Sequence, residues 1–194
     1  MFTALLDTCV LWPSLQRDFV LSLAVEGLYR PVWSARILEE LAYGEESKLV
    51  ARGTEPDDAA RRARRLIAEM RCAFDDAEVG GWEGLEGTYG LPDPDDEHVV
   101  AAAVVGGAGA IITHNAKDFP AERVPAGIQV LSPEVFAANT VELSPARAVA
   151  AIQAIVARSG RSGRQLSVTH VLDVLVHRYG MDRAVELVRP FVSG

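Results

Sequence analysis

Cysteine is scarce in this chain of 194 residues, which contains only Cys9 and Cys72. Zinc sites and redox motifs bring cysteines together at short, regular spacings, and these two residues form no such spacing. The cysteine content therefore argues against a cysteine-based metal or redox site. It is typical of a protein in a reducing cytosol.

Long apolar runs are missing as well. No run reaches the roughly 18 residues that a membrane-spanning helix needs. The apolar stretch at the N-terminus lacks the basic region of a signal peptide, and Asp7 interrupts it. Hydrophobic residues still make up 49% of the chain, which is ample for a core. We expect a soluble, cytoplasmic protein with no membrane partner.

Positive charge is also in short supply, since the formal net charge is −8. Of the 19 basic residues only Lys48 and Lys117 are lysine. Nucleic-acid-binding proteins usually carry a basic surplus, so any such contact here would have to use a local patch. Arginine suits bidentate phosphate contacts, but a coding bias toward arginine would give the same composition.

Short apolar segments alternate with segments of helical periodicity over the first 139 residues. The predicted strands cover residues 2–6, 31–33, 110–113 and 128–131, and the predicted helices cover 14–28, 35–43, 54–72 and 96–105. This alternation predicts an α/β domain with a mostly parallel sheet and helices on both faces.

The strand pattern stops near residue 140. Three helices are predicted beyond it, from 145 to about 158, from about 167 to 179, and from 182 to a break at Pro190. We therefore predict two parts, an α/β domain over residues 1–139 and a helical C-terminal extension over residues 140–194.

Four acidic residues occupy the ends of these predicted elements. Asp7 ends the first strand, Glu40 lies on the helix after the second, Asp96 begins the helix that leads into the third, and Asp118 follows the third. In open α/β sheets functional sites lie at the carboxyl ends of the strands. The four side chains are therefore predicted to meet at one edge of the sheet.

Clustered carboxylates repel one another, so such a site would need a cation or bound protons. Hard oxygen ligands favour Mg²⁺ or Mn²⁺, which polarise phosphoryl oxygens and lower the pKa of bound water. The chemistry indicated is phosphodiester hydrolysis. Each acid also has an ordinary interpretation: Asp7 as a cap of the turn after the first strand, Asp96 as a helix cap, Asp118 as a turn residue, and Glu40 as a solvated helix residue.

Four segments carry a further pattern: LLDTCVLWP, WSARILEELA, PDPDDEHVVAAAV and AIITHNAKDFP. In order and spacing they resemble the motifs of PIN-domain ribonucleases. The closest likeness is to the VapC-like toxins of bacterial type II toxin–antitoxin pairs. The resemblance covers about residues 2–139, and helical C-terminal extensions occur in some members of that group.

The resemblance implies a three-layer α/β/α sandwich with a five-stranded parallel sheet, and a divalent-metal-dependent endoribonuclease activity on RNA. It also implies a dimer and a cognate antitoxin. The implied catalytic and metal-binding residues are Asp7, Glu40, Asp96 and Asp118, with Thr8 and Asn115 in support. Cys9 stands where the family usually has asparagine, which is expected to weaken a hydrogen bond at that position.

Basic residues offer two candidate RNA contacts. Arg61, Arg64 and Arg65 lie on the predicted helix 54–72, where they can contact RNA phosphates or form a solvated face. A second patch combines Arg158, Arg161 and Arg164.

Two other functions fit parts of the pattern. The first is a PIN-fold module that binds RNA or protein without catalysis. The second is a phosphatase of the haloacid dehalogenase type, which uses an aspartate nucleophile at a strand end. That motif needs a second aspartate two residues on, where Cys9 stands. His98 and His114 lie near the predicted site, where a structural role is favoured over contact with the substrate.

Overall fold

A five-stranded parallel sheet organises the fold. The structure is a computed structural model that describes residues 1–160 and 164–192. The strand order is β3-β2-β1-β4-β5, with β1 and β4 paired from Ala4 and Ala110 to Leu6 and Ile112. The strands are β1 (Thr3–Leu6), β2 (Arg30–Ser34), β3 (Glu78–Val79), β4 (Ala110–Ile112) and β5 (Gln129–Leu131).

Helices connect and follow these strands. They are α1 (Thr8–Leu11), α2 (Ser14–Val25), α3 (Ala35–Ala51), α4 (Pro56–Ala73), α5 (Glu97–Val105), α6 (Pro133–Leu143), α7 (Pro145–Arg158), α8 (Val168–Tyr179) and α9 (Asp182–Val192). Short 3₁₀ turns cover Glu83–Leu85, Pro94–Asp96 and Ala116–Asp118.

The predicted fold class is confirmed: the sheet is parallel throughout, with flanking helices and a helical C-terminal region. β1 and β4 are almost entirely buried because parallel strands covered on both faces consist of nearly continuous apolar residues. Their shared register brings the ends of β1 and β4 to one edge of the sheet.

Helix α3 is longer than the sequence predicted. Its start is as expected, since the Ser34 hydroxyl accepts a hydrogen bond from the amide of Ile37 at 3.2 Å. Gly44 was predicted to end the helix, and this was wrong, because α3 continues to Ala51. Gly44 instead allows the side chain of Trp12 to approach the helix, where a Cβ atom would lie 2.9 Å from the indole.

Other elements also differ from the prediction. β3 was not predicted, since its two residues are too few to show a periodic pattern. α2 ends at Val25 rather than at residue 28. α9 continues past Pro190 to Val192, because a proline in the last turn removes only one late hydrogen bond.

The contacts divide the chain into two compact units. One contains residues 3–12 and 31–130, and it includes the sheet and all four predicted acids. The other contains residues 1–2, 13–30 and 131–194. In the second unit α2 packs on α7, and the ring of Tyr29 meets that of Phe136 edge-on at 4.8 Å. The division at residue 139 stays a prediction.

In residues 1–160 and 164–192, no single helix is both long and apolar enough to cross a membrane. α6 and α7 reach that length and composition only together, with a bend of 116° between them.

Candidate active site

Asp7 lies where β1 meets the end of β4. Its backbone amide donates to the carbonyl of Ile112 at 3.1 Å, which extends the pairing of the two strands by one step. The residue is only 7% exposed. Thr113, the residue directly after β4, is fully buried beside it. The fold therefore fixes the backbone on both sides of this carboxylate.

The Asp7 carboxylate is held by two side chains. Its Oδ2 atom accepts from the Thr113 hydroxyl at 2.6 Å and from the Cys9 thiol at 3.0 Å. Burial, and then the charge of Asp7, raise the pKa of Cys9 to about 12, so the thiol stays protonated and donates. Cys9 therefore supplies a hydrogen bond at the position where the family usually has asparagine. These hydrogen bonds, and not a capping contact with α1, fix the orientation of the Asp7 carboxylate.

Glu40 is bound through both carboxylate oxygens. Oε2 accepts from the Thr8 hydroxyl at 2.6 Å, while Oε1 lies 3.2 Å from His98 Nε2 and 3.5 Å from Arg36 Nε. Burial alone would raise the pKa of Glu40, but the bonds from His98 and Thr8 and the nearby positive charge lower it. Glu40 is therefore an oriented carboxylate and not a freely solvated helix residue.

His98 comes from the first turn of α5 and is 2% exposed. Its Nε2 atom meets Glu40, and its ring lies 6.0 Å from that of Trp82. Among the residues that the structure describes, its Nδ1 atom is buried without a hydrogen-bond partner. The structural role expected for His98 thus includes a contact with Glu40, a predicted site residue.

Arg36 pairs with acids from three segments of the chain. Besides Glu40, its guanidinium pairs with Glu86, and its NH2 atom lies 3.5 Å from Asp95 Oδ1. The first turn of α3 is thereby joined to the segment that leads into α5. Sequence reasoning missed this arginine, which places one positive charge among the acids.

Asp96 lies in the 3₁₀ turn before α5. Burial raises the pKa of its carboxyl, and repulsion from Asp7, Asp93 and Asp118 raises it further, to about 6. Among the described residues, its side chain makes no capping hydrogen bond to α5. The ordinary interpretation as a helix cap is therefore wrong, and Asp96 is close enough to Asp7 and Asp118 for their charges to act on it.

Asp118 closes the 3₁₀ turn after β4, where its amide donates to the carbonyl of Asn115 at 2.9 Å. The amide of Asn115 in turn donates to the Thr113 hydroxyl at 3.0 Å. Asn115 is exposed, and Asp118 is partly exposed. This turn therefore places both residues just beyond the end of β4.

A family model for the PIN domain matches residues 3–117, well over half of the chain. The chain belongs to the PIN-domain family. PIN domains are typically nucleases. The match contains Asp7, Glu40 and Asp96 and ends one residue before Asp118. No curated protein and no solved structure matches the chain.

PIN domains generally use divalent metals, and the donors in this one suit such an ion in their chemistry. Asp7, Asp96 and Asp118 supply hard oxygen atoms, and their repulsion is what a cation would relieve. Within residues 1–160 and 164–192, however, no three Asp, Glu, His or Cys side chains lie close enough to form a ready metal site. Glu40 is occupied by Thr8, His98 and Arg36. Metal binding would require these side chains to rearrange.

The basic cluster of this PIN domain lies on the exposed face of α4. Arg61 pairs with Asp58, and Arg65 Nε binds Glu69 Oε1 at 2.7 Å. Arg64 lines a shallow groove between α3 and α4. The helix itself therefore provides counter-charges for two of the three arginines, and their contact with RNA stays a prediction. In the second patch, Arg158 binds the Ser22 hydroxyl at 2.8 Å, and Arg161 lies outside the described residues.

Sequence reasoning missed Thr113 and Glu97 as well as Arg36. The only signal for Thr113 was its place at the end of an apolar strand, next to the polar His114 and Asn115. Glu97 was one of several acids at the start of the predicted helix 96–105, and nothing in the pattern indicated that its carboxylate is buried. Each of these three residues acts through a contact with another residue, and the local sequence pattern does not identify that contact.

Proposed function

We propose that this PIN-domain protein is an endoribonuclease that depends on Mg²⁺ or Mn²⁺. The observation that supports this most is the match of residues 3–117 to the PIN-domain family, together with the hydrogen bond that places Asp7 at the end of β4. The pKa of Asp96, which burial and the charges of Asp7, Asp93 and Asp118 raise to about 6, agrees with it. Burial and the repulsion of neighbouring acids disfavour the ionised form of Asp96, and a bound divalent cation would restore it.

In this proposal Asp7, Asp96 and Asp118 hold the cation, with Glu40 beside them. When bound, the ion polarises the phosphodiester and supplies an activated water. Thr113 and Cys9 fix the orientation of Asp7. Thr8 fixes that of Glu40, whose lowered pKa keeps it ionised at neutral pH. Asn115 extends from the same edge toward the substrate.

The test is cleavage of a single-stranded RNA in Mg²⁺ or Mn²⁺ by the wild type and by the Asp7→Asn and Asp96→Asn variants. Each variant loses a negatively charged ligand but keeps its shape, so we expect a loss of about 100-fold or more. Asp75→Asn, in an exposed turn after α4, is the matched control and should retain full activity. Equal cleavage by the wild type and both site variants would refute the proposal.

We further propose that the protein is the toxin of a toxin–antitoxin pair and acts as a homodimer. The support is the resemblance of the four sequence segments to VapC-like toxins. Purification from the native host should therefore yield a complex with a small protein encoded by a neighbouring short reading frame. Removing that protein should release RNA cleavage and leave a particle of twice the 20.9 kDa chain mass. A chain that purifies alone, as a monomer, would contradict both parts.

The alternative function is a non-catalytic module that binds RNA or protein. One observation favours it, namely that the described acids are not gathered into a ready metal site. Calorimetry distinguishes the two functions. Heat from Mn²⁺ binding to the wild type, and its loss in Asp7→Asn, supports the nuclease. RNA binding without any divalent-ion binding supports the module.

A further inference from the structure

Trp12 differs from the other tryptophans in its exposure. Trp33 is fully buried and Trp82 is 6% exposed, whereas Trp12 is 44% exposed. It directly follows α1, and its amide donates to the carbonyl of Thr8 at 2.9 Å. A large aromatic side chain that stays accessible to this degree is available for contact with a ligand.

The exposed indole is held in place by α3. Gly44 leaves room for it, because a Cβ atom at that position would lie 2.9 Å from Cδ1 and 3.0 Å from Nε1 of the ring. One turn further along, Lys48 Nζ lies 5.3 Å from the ring centroid, a distance typical of a cation–π contact. The Lys48 ammonium also contacts the carbonyl of Trp12 and pairs with Glu45. The ring is therefore ordered before any ligand arrives.

Trp12 also lies next to the candidate active site. Gly44 follows Glu40 by four residues on α3, and residues at this spacing are neighbours on one helix face, about 6 Å apart. Along the sequence, only the single turn of α1 separates Trp12 from Asp7. The indole thus stands at the margin of the acidic site, one helical turn from Glu40.

We propose that Trp12 is a stacking subsite for a base of single-stranded RNA next to the cleaved phosphate. The inference rests on the proposed ribonuclease function and adds how the substrate is held. A chain with a net charge of −8 and an acidic site repels phosphates, so attraction must come partly from contacts without charge. Stacking on an aromatic ring is such a contact, and it accepts every base because each has a π face.

The test measures binding of a short fluorescent single-stranded RNA without cleavage, using Asp7→Asn as the parent protein. Adding Trp12→Ala should weaken binding about tenfold or more, and Trp12→Phe should lose less because a ring remains. Gly44→Ala should give an intermediate loss, since the new methyl group displaces the indole. Phe191→Ala, which removes an aromatic ring that is 55% exposed on α9, is the control and should bind as the parent does.

A second probe isolates the stacking contact. On an RNA backbone of the same length that lacks bases, Trp12→Ala and the parent should bind equally. In the active protein Trp12→Ala should raise KM by a larger factor than it lowers kcat.

Unchanged binding of the normal RNA by a folded Trp12→Ala variant would overturn the inference, even where the wild type cleaves RNA. So would a variant that loses a co-purified protein partner and keeps its RNA affinity. If the wild type itself neither binds nor cleaves RNA, the proposed function fails, and this inference fails with it.

Discussion

Replacing Asp96 with asparagine is expected to stabilise the metal-free protein at neutral pH and to abolish its response to divalent ions. Burial and the surrounding acids raise the pKa of Asp96 from 3.8 to about 6. The fold therefore favours the protonated carboxyl. The stability that this carboxyl contributes is fully present below pH 3.8 and is lost as the pH rises through about 6. Asparagine, which is always neutral, avoids that loss.

The size of the effect follows from the shift and from the exposure of the side chain. The difference between a pKa of 3.8 and one of about 6 corresponds to at most about 3 kcal/mol, and solvent screening of a partly exposed carboxylate reduces this to about 1 kcal/mol. Thermal unfolding without metal should show the two proteins equal at pH 4 and Asp96→Asn more stable at pH 7.5. A variant less stable than the wild type at pH 7.5 would mean that Asp96 supports the fold as a hydrogen-bonded cap.

Adding Mn²⁺ is expected to reverse this order of stability, so that the wild type becomes more stable than Asp96→Asn. An ion that binds only the folded protein raises its stability with concentration, and the wild type should gain more as the pH rises above 6 and Asp96 ionises. Asp96→Asn should gain little at any pH, whereas the Asp75→Asn control should behave as the wild type. An equal Mn²⁺ response in all three proteins would remove Asp96 from the proposed metal site.

The sheet and the neighbouring ends of β1 and β4 could be predicted because both depend on local patterns. Short apolar segments become buried parallel strands, and the carboxyl ends of such strands share an edge. The pairing of Leu6 with Ile112 confirms this for Asp7 and for the segment that carries Asp118. The predicted metal-binding role of the four acids stays a prediction.

The hydrogen-bond partners of those acids could not be predicted from the local sequence pattern. Thr113 meets Asp7 across 106 positions of the chain, and Thr8 meets Glu40 across 32. Polar side chains carry no periodicity, so only the packed fold shows which ones meet. The extension of α3 beyond Gly44 has the same origin, because the packing of Trp12 against Gly44 outweighs the weak helix propensity of glycine.

Replacing Glu97 with glutamine is expected to destabilise the protein by about 2 kcal/mol, although Glu97 immediately follows a predicted metal ligand. Its carboxylate is 2% exposed and accepts from the amides of Tyr89 at 2.9 Å and Leu91 at 3.0 Å. Burial alone would raise the pKa of Glu97, but these bonds and further ones from the amides of Gly90 and Gly87 lower it. Glutamine keeps one accepting oxygen and turns an NH₂ group toward amides that also donate.

The pH dependence separates this role from that of Asp96. Because the pKa of Glu97 is lowered, its stabilising contribution is present above the usual value of 4.5 and is lost as the pH falls through the lower value in the fold. Denaturant unfolding should therefore show a gap between wild type and Glu97→Gln at pH 7 that closes in acid, whereas the gap for Asp96→Asn has the opposite sign.

The contacts of Glu97 also predict which part of the protein is destabilised in the Glu97→Gln variant. Gly90, with a positive φ of 67°, turns the backbone around the carboxylate, so the 87–91 loop depends on this one charge. Hydrogen exchange should become faster at the amides of Tyr89 and Leu91 first. If Glu97→Gln keeps full stability and slow exchange there but loses divalent-ion binding, Glu97 is a metal ligand and not the anchor of the loop.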